Sequence, residues 1–216
     1  MNIKGIIFDL DGTLVNSIED IADSMNVILK DSNYPTHSYK SYESFIGSGI
    51  QTLVSRALPT SVRTELEIER VFKEMLNSYK DNCTNKTAPY PGILDLLKKL
   101  EIKGLKMSVL SNKEDRLTKR VVAEKLPSIF EPVFGLTTEE LKKPNPKVIL
   151  QMCTSLELDI KKIIYVGDSV IDMQTARNAG LQSVAVTWGF QSKESLLAEN
   201  PDYIIDTPEE LFDIID

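Results

Sequence analysis

Hydrophobic and polar positions follow two patterns along the chain. Ile6-Ile7-Phe8 is a continuous apolar run closed by the turn formers Asp11-Gly12, the pattern of a strand covered on both faces in a parallel sheet. Similar runs recur at residues 107–110, 163–166 and 183–186 and more weakly at 132–134, and Tyr203-Ile204-Ile205 has the makings of a short edge strand. Between them, Ile93, Leu96, Leu97 and Leu100, and later Val148, Ile149 and Met152, fall at helical spacing. From about residue 90 strand and helix alternate. That alternation predicts right-handed βαβ units and an α/β, doubly wound parallel sheet, with ligands outside the carboxyl ends of the strands.

Residues 17–86 break the alternation. They hold no convincing strand and several helical periods, clearest in Ile68, Val71, Phe72, Met75, Leu76 and Tyr79. The prolines and glycine of Thr87-Ala88-Pro89-Tyr90-Pro91-Gly92 mark a linker into the next helix. The expected organisation is therefore a core of residues 1–16 and 87–216 with an all-helical insertion over 17–86, set over the end of the first strand where it can close a site.

Composition removes several functions. The 216 residues are 42% hydrophobic and 26% charged, ordinary globular usage with enough length for a full core. With 25 Lys+Arg against 32 Asp+Glu the net charge is −7, and no basic stripe is present, so nucleic acid is not an expected partner. Two cysteines and one histidine make neither a disulfide framework nor a Cys/His zinc site, so any metal must be held by oxygen. The first residues carry no uninterrupted signal-type apolar run, and no stretch reaches the roughly 18 apolar residues of a membrane span. The expectation is a soluble cytoplasmic protein without a membrane partner.

Four segments carry candidate chemistry, each where a strand gives way to a helix. In Asp9-Leu10-Asp11-Gly12-Thr13, extended residues two apart point to one side, so Asp9 and Asp11 address one site while Gly12 lets the backbone turn. Two carboxylates in one pocket call for a hard cation or an acid/base role. Leu110-Ser111-Asn112-Lys113 predicts a hydroxyl and free amides at a helix N-terminus, a phosphate site; Ser111 with Glu114 also reads as a capping box. Lys142-Lys143-Pro144-Asn145-Pro146 offers a cation on a restrained backbone, and the spacing permits either lysine, or simply a solvated pair. Gly167-Asp168 with Asp172 a helical turn later brings two more carboxylates, Asp168 having a helix N-cap as its other reading. Together these supply an Asp nucleophile, an Asp for proton transfer, a hydroxyl and a lysine for phosphate oxygens, and carboxylates for Mg²⁺: a phosphoryl-transfer constellation.

Taken in order, Asp9-x-Asp11-Gly12-Thr13, Ser111, Lys143 and Gly167-Asp168 with Asp172 resemble the four motifs of the haloacid dehalogenase superfamily, over nearly the whole chain. Phe45-Ile46-Gly47-Ser48-Gly49, Tyr90-Pro91-Gly92, Lys143-Pro144-Asn145-Pro146 and Thr187-Trp188-Gly189-Phe190 are similar to its phosphoglycolate phosphatase branch, although Phe134-Gly135-Leu136-Thr137-Thr138 stands where that branch often carries a Gly-Gly-Asp-like stretch. The resemblance implies a Rossmann-like core with a helical cap and a Mg²⁺-dependent hydrolysis of a small phosphate ester, most simply 2-phosphoglycolate. Asp9 is the implied nucleophile and Asp11 the acid and base. Mg²⁺ is implied on Asp9, the Asp11 carbonyl and Asp168, with Asp172 supporting them or orienting Lys143. The implied phosphate set is Leu10, Asp11, Ser111, Asn112 and Lys143. In the cap, Gly47 and Gly49 let backbone approach the substrate and Arg56 meets a carboxylate, unless they are turn glycines and a surface arginine.

The same motifs fit a phosphosugar mutase or a pyrophosphatase. An Asp, Mg²⁺, a hydroxyl and Lys on a parallel sheet also describe a phospho-accepting signalling module, against which the insertion and Asp11 both count. Oligomeric state leaves no mark on the sequence.

Overall fold

The computed structural model describes residues 3–215. Met1, Asn2 and Asp216, which the expected core segments include, lie outside the described residues.

The strand β1 (Gly5–Phe8) is buried at every residue because it has a parallel neighbour on each side and a helical layer on each face. Its alternation divides the interior: Ile6 and Phe8 join one apolar cluster, Ile7 the other. The chain continues through β2 (Val15–Asn16), α1 (Ile18–Asp31), α2 (Tyr39–Glu43), α3 (Gly49–Ala57), α4 (Glu65–Asn82), β3 (Ala88–Pro89), α5 (Ile93–Ile102), β4 (Lys106–Glu114) and α6 (Asp115–Lys125). It closes with β5 (Phe130–Leu136), α7 (Lys147–Leu156), β6 (Ile163–Gly167), α8 (Val170–Ala179), β7 (Gln182–Val186), α9 (Lys193–Ala198), β8 (Tyr203–Ile205) and α10 (Leu211–Ile215).

Six strands form one sheet in the order β5-β4-β1-β6-β7-β8, all neighbours parallel. The chain winds outward from β1 through β4 to β5, then returns to β6 on the other side of β1 and winds outward again. The order thus reverses between β1 and β6, where a doubly wound sheet leaves its crevice, and Asp9 and Asp168 follow those two strands. The α/β, Rossmann-like reading holds, including the edge strand at Tyr203–Ile205.

Two boundaries differ from the sequence expectation. The apolar run at 107–110 is only the first half of β4, which continues through Ser111, Asn112 and Lys113 to Glu114 and pairs there with Leu136 of a β5 longer than residues 132–134. Helix α6 is capped by the Glu114 side chain, which accepts from the Leu117 amide. Ser111 therefore lies inside a strand, neither at a helix N-terminus nor in a capping box with Glu114, because pairing with β5 carries the strand past the point where its apolar period ends.

The chain leaves the sheet region and re-enters it on a two-stranded antiparallel ribbon, β2 with β3, pairing Val15 with Pro89 and Asn16 with Ala88. Between these strands the regular elements of the described residues are helices. On α4 the positions turned inward, Val71, Met75 and Tyr79, are four apart. Buried Asp20 on α1 fastens the return: its carboxylate accepts from the amides of Lys86 and Thr87 and from the Thr87 hydroxyl, at 2.7–3.0 Å. Apolar side chains of the insertion, Leu53, Val54 and Val71 among them, share one cluster with Phe8 and Val109 of the sheet. The insertion is thereby packed over the carboxyl end of β1.

Candidate active site

Asp9 follows β1 directly, its amide donating to the Val166 carbonyl of β6 at 2.9 Å. Gly12 follows at φ +91°, and a side-chain carbon there would fall 2.2 Å from Asp168 Oδ2, so only glycine admits the close passage of this loop. Thr13 donates its hydroxyl to Asp168 Oδ1 at 3.1 Å and Phe190 its amide to Asp168 Oδ2 at 2.8 Å, while Trp188 Nε1 donates to the Thr13 carbonyl at 3.0 Å. Asp168 is thus held by the turn after β1 and the segment after β7, and the helix cap falls to its neighbour. Ser169 caps α8 in a reciprocal box with Asp172.

Lys143 resolves the lysine pair. Its ammonium is buried, 2.8 Å from Asp9 Oδ1 and 2.8 Å from Asp172 Oδ1, whereas Lys142 pairs with Glu139 at the surface. The Lys143 hydrogens go to Asp172, the Tyr165 hydroxyl and the Leu110 carbonyl, so the approach to Asp9 is an ion pair without hydrogen-bond alignment. Asp9 Oδ1 consequently remains buried with no hydrogen bond among the described residues. Asp172 has no spare capacity: Oδ1 accepts from Lys143 and Tyr165, Oδ2 from the amide and hydroxyl of Ser169. Its Oδ1 is thereby tied to the Lys143 ammonium.

Electrostatics follow from three buried acids sharing one lysine. Burial pushes the Asp9 carboxyl well above the usual range, the charges of Asp172 and Asp168 push the same way, and Lys143 opposes them. Burial and then the charge of Asp172 push Asp168 up to about 7. Burial alone would lower the Lys143 ammonium, but Asp172 and Asp9 hold it well above the ordinary lysine value. One carboxylate oxygen each of Asp9, Asp168 and Asp172 lie within 4.8 Å of one another. An excess of buried carboxylate over lysine fits a hard divalent cation bound through oxygen.

Asp11 is set apart from this cluster. Its Oδ1 accepts from Ser17 Oγ at 2.5 Å and from Lys113 Nζ at 2.6 Å, and its Oδ2 has no hydrogen bond among the described residues. Asp9, Asp11, Ser111, Asn112, Lys143, Gly47 and Gly49 line one cavity together with Lys113, Tyr79 and the aliphatic side chains Ile21, Ile46, Ile50 and Leu53. Asp168 lines an adjoining recess with Asp9, Asp11 and Gly47.

Three expected residues take other places. Leu10 is a core side chain whose carbonyl accepts the amides of Thr13, Leu14 and Val15, so only its main chain adjoins the site. The side chain of Asn112 is consumed structurally: Nδ2 donates to the carbonyls of Gly47 and Lys143, and Oδ1 accepts from the Lys143 amide at 2.8 Å. It ties the Lys143 loop to the insertion and has no free donor for phosphate. Arg56 does not line the cavity. It is exposed and donates to the carbonyls of Ser44 and Phe45, because the inward face of α3 is that of Leu53, Val54 and Ala57. Ser111 does line the cavity, its Oγ accepting from the Lys113 amide.

Lys113 and Tyr79 were not anticipated. The signal for Lys113 lay in the period of two, since Ser111 and Lys113 share one side of an extended strand, but a strand end at Leu110 hid it. Tyr79 carried no signal beyond helical spacing.

A family model for haloacid dehalogenase-like hydrolases matches residues 6–186. A phosphoglycolate phosphatase of Haemophilus influenzae (strain 86-028NP) is 32% identical, covering 98% of this chain and 98% of its own. The crystal structure of a predicted phosphoglycolate phosphatase from Haemophilus somnus 129pt superposes with a TM-score of 0.92 at 30% identity, covering 100% of this chain and 99% of its own. For a haloacid dehalogenase-like hydrolase of Streptococcus pneumoniae the TM-score is 0.89 at 26% identity, with 100% and 99% covered. A family model spanning most of the chain, relatives matched end to end and a cleft of acids around a buried lysine agree: the chain belongs to the haloacid dehalogenase-like hydrolases and is a phosphatase.

Proposed function

We propose that this phosphatase hydrolyses a small organic phosphomonoester, 2-phosphoglycolate foremost, in the cytoplasm, with Mg²⁺ and through an aspartyl-phosphate on Asp9. The observation that carries the reading is the division of labour between two acids two residues apart. Asp9 lies beside Lys143 with an unbonded oxygen, while Asp11 is turned aside by Ser17 and Lys113 with its second oxygen left over.

In the first step an Asp9 oxygen attacks phosphorus and the bond from phosphorus to the ester oxygen breaks, the departing alkoxide taking a proton from Asp11. In the second, Asp11 takes a proton from water, whose oxygen attacks phosphorus; the bond to Asp9 breaks, releasing phosphate and restoring the Asp9 carboxylate and the protonated Asp11. Lys143 sets its charge against the phosphate oxygens and the Ser111 hydroxyl donates to one of them. Asp172 and Tyr165 hold Lys143 in place. Asp9, Asp168 and the Asp11 carbonyl would hold Mg²⁺, which when bound neutralises charge on the transferring phosphoryl group. The relatives named phosphoglycolate phosphatase support the substrate.

The test is phosphate release from 2-phosphoglycolate, pyrophosphate and sugar phosphates, with Mg²⁺ or EDTA, by wild type and Asp9→Asn. Release lost with both EDTA and Asp9→Asn supports the mechanism, and 2-phosphoglycolate should be the best substrate. Isomerised sugar phosphate in place of free phosphate would make the chain a mutase. A stable phosphoprotein without turnover would make it a signalling module.

A further inference from the structure

The cleft contains a polar pair that the proposed chemistry leaves partly unused. Lys113 is 3% exposed in its side chain, yet among the described residues its ammonium makes one hydrogen bond, to Asp11. An ammonium carries three N–H donors, and burying two without partners is costly. Opposite it on α4, Tyr79 is 1% exposed and its buried hydroxyl has no hydrogen-bond partner among the described residues. Lys113 Nζ lies 5.0 Å from the centre of the Tyr79 ring, and both residues line the cavity that holds Asp9 and Ser111. The other side chains that the insertion presents to that cavity, Ile21, Ile46, Ile50 and Leu53, are aliphatic.

We propose that Lys113 and the Tyr79 hydroxyl form an anion subsite that binds a carboxylate on the leaving group, making the substrate class phosphomonoesters of small hydroxy acids. This rests on the phosphatase reading above. A carboxylate is an acceptor with two oxygens, matched to the spare N–H donors of Lys113 and the O–H of Tyr79. The hydroxyls of a sugar would instead meet the aliphatic wall, losing hydrogen bonds to water without replacement. Size agrees: the half-open cavity offers water-sized groups about 50 Å³, room for on the order of four of them. The subsite also does what Arg56 was expected to do, from the sheet side of the cleft, with Tyr79 closing it from the insertion.

The experiment compares kcat/KM for 2-phosphoglycolate with that for ethyl phosphate, which keeps the phosphate and both carbons and lacks the carboxylate. Wild type should prefer 2-phosphoglycolate by about a hundredfold. Tyr79→Phe, which keeps the ring, should cut that ratio by about tenfold, and Lys113→Met should abolish most of it, in line with hydrogen bonds to a charged group. Lys113→Arg should restore part of the preference, and glycolate should inhibit both Lys113→Met and Tyr79→Phe more weakly than wild type. Should Lys113→Met fail to fold, Tyr79→Phe decides. Turnover of both esters by wild type with no preference, or a ratio unchanged in Tyr79→Phe, overturns the subsite and leaves the phosphatase reading standing. Failure of wild type to release phosphate from any ester removes the phosphatase mechanism itself.

Discussion

The two walls of the cleft are built on different principles. On the sheet wall, Asp168, Asp172, Lys143 and Asn112 are locked by hydrogen bonds, several from residues far away in sequence, and the carboxylates of Asp9 and Asp168 are buried at an electrostatic cost. On the wall formed by the insertion, the side chains are mostly aliphatic, and the polar features are main-chain atoms at Gly47 and Gly49 and one unpartnered tyrosine hydroxyl. A charged, preorganised wall supplies chemistry because its dipoles need not rearrange during reaction. An aliphatic wall supplies selection by shape and exclusion of water. On the proposals above, the reaction belongs to the sheet wall, and substrate choice is shared between the insertion and Lys113 of β4.

The sharpest test of the contrast is the pair of adjacent lysines. Lys143→Met strands Asp9 and Asp172 without their shared cation and should lower unfolding free energy by about 3–5 kcal/mol as well as abolishing turnover. Lys142→Met removes only a surface pair with Glu139 and should change stability by less than about 1 kcal/mol. Similar urea midpoints for the two variants would break the comparison.

The next effect is on pH. Asp168 is pushed up to about 7 from an ordinary value of 3.8, so the folded chain holds that proton more tightly than the unfolded chain. Its contribution therefore favours folding at low pH and is lost as pH rises between about 4 and 7, by up to about 4 kcal/mol in metal-free protein. Asp9, also raised, acts in the same direction. Added Mg²⁺ should offset the loss, so the gap between melting temperatures in Mg²⁺ and in EDTA should widen from pH 5 to pH 8. A gap that stays constant across that range would mean the acids do not receive the ion.

Two smaller effects probe the seam and the far side. Asn112→Ala removes the bonds joining the Lys143 loop to the Gly47 carbonyl and should lower kcat/KM about tenfold, with a stability loss near 2 kcal/mol. Arg56→Ala, which loses contacts to exposed carbonyls, should leave kcat/KM within about threefold and cost less than about 1 kcal/mol. A larger kinetic loss in Arg56→Ala would return this arginine to the substrate.

Legibility in the sequence followed how local each signal was. The strands at Ile6–Phe8, 163–166 and 183–186 were visible because burial on both faces demands an unbroken apolar run, and the helices because one face demands a period near 3.6. Asp9, Asp11, Asp168 and Asp172 were visible because they sit where such runs end. The second half of β4 was invisible, since Ser111, Asn112 and Lys113 are polar residues buried for the site and imitate a loop. Arg56 could not be placed from sequence because its direction depends on the rotation of α3 against its neighbours.

The 216 letters determine on their own that the chain is an α/β protein with a helical insertion, and that four segments along it carry acids, a hydroxyl and a lysine suited to one crevice. These are consequences of periodicity and of short-range stereochemistry, which each segment carries within itself. Only the tertiary structure decided that Asn112 braces two loops and that Lys113 meets Tyr79 across the cleft. Those choices depend on which distant residues share a buried space, where each charge must find its partner and each hydroxyl without one remains open to a ligand.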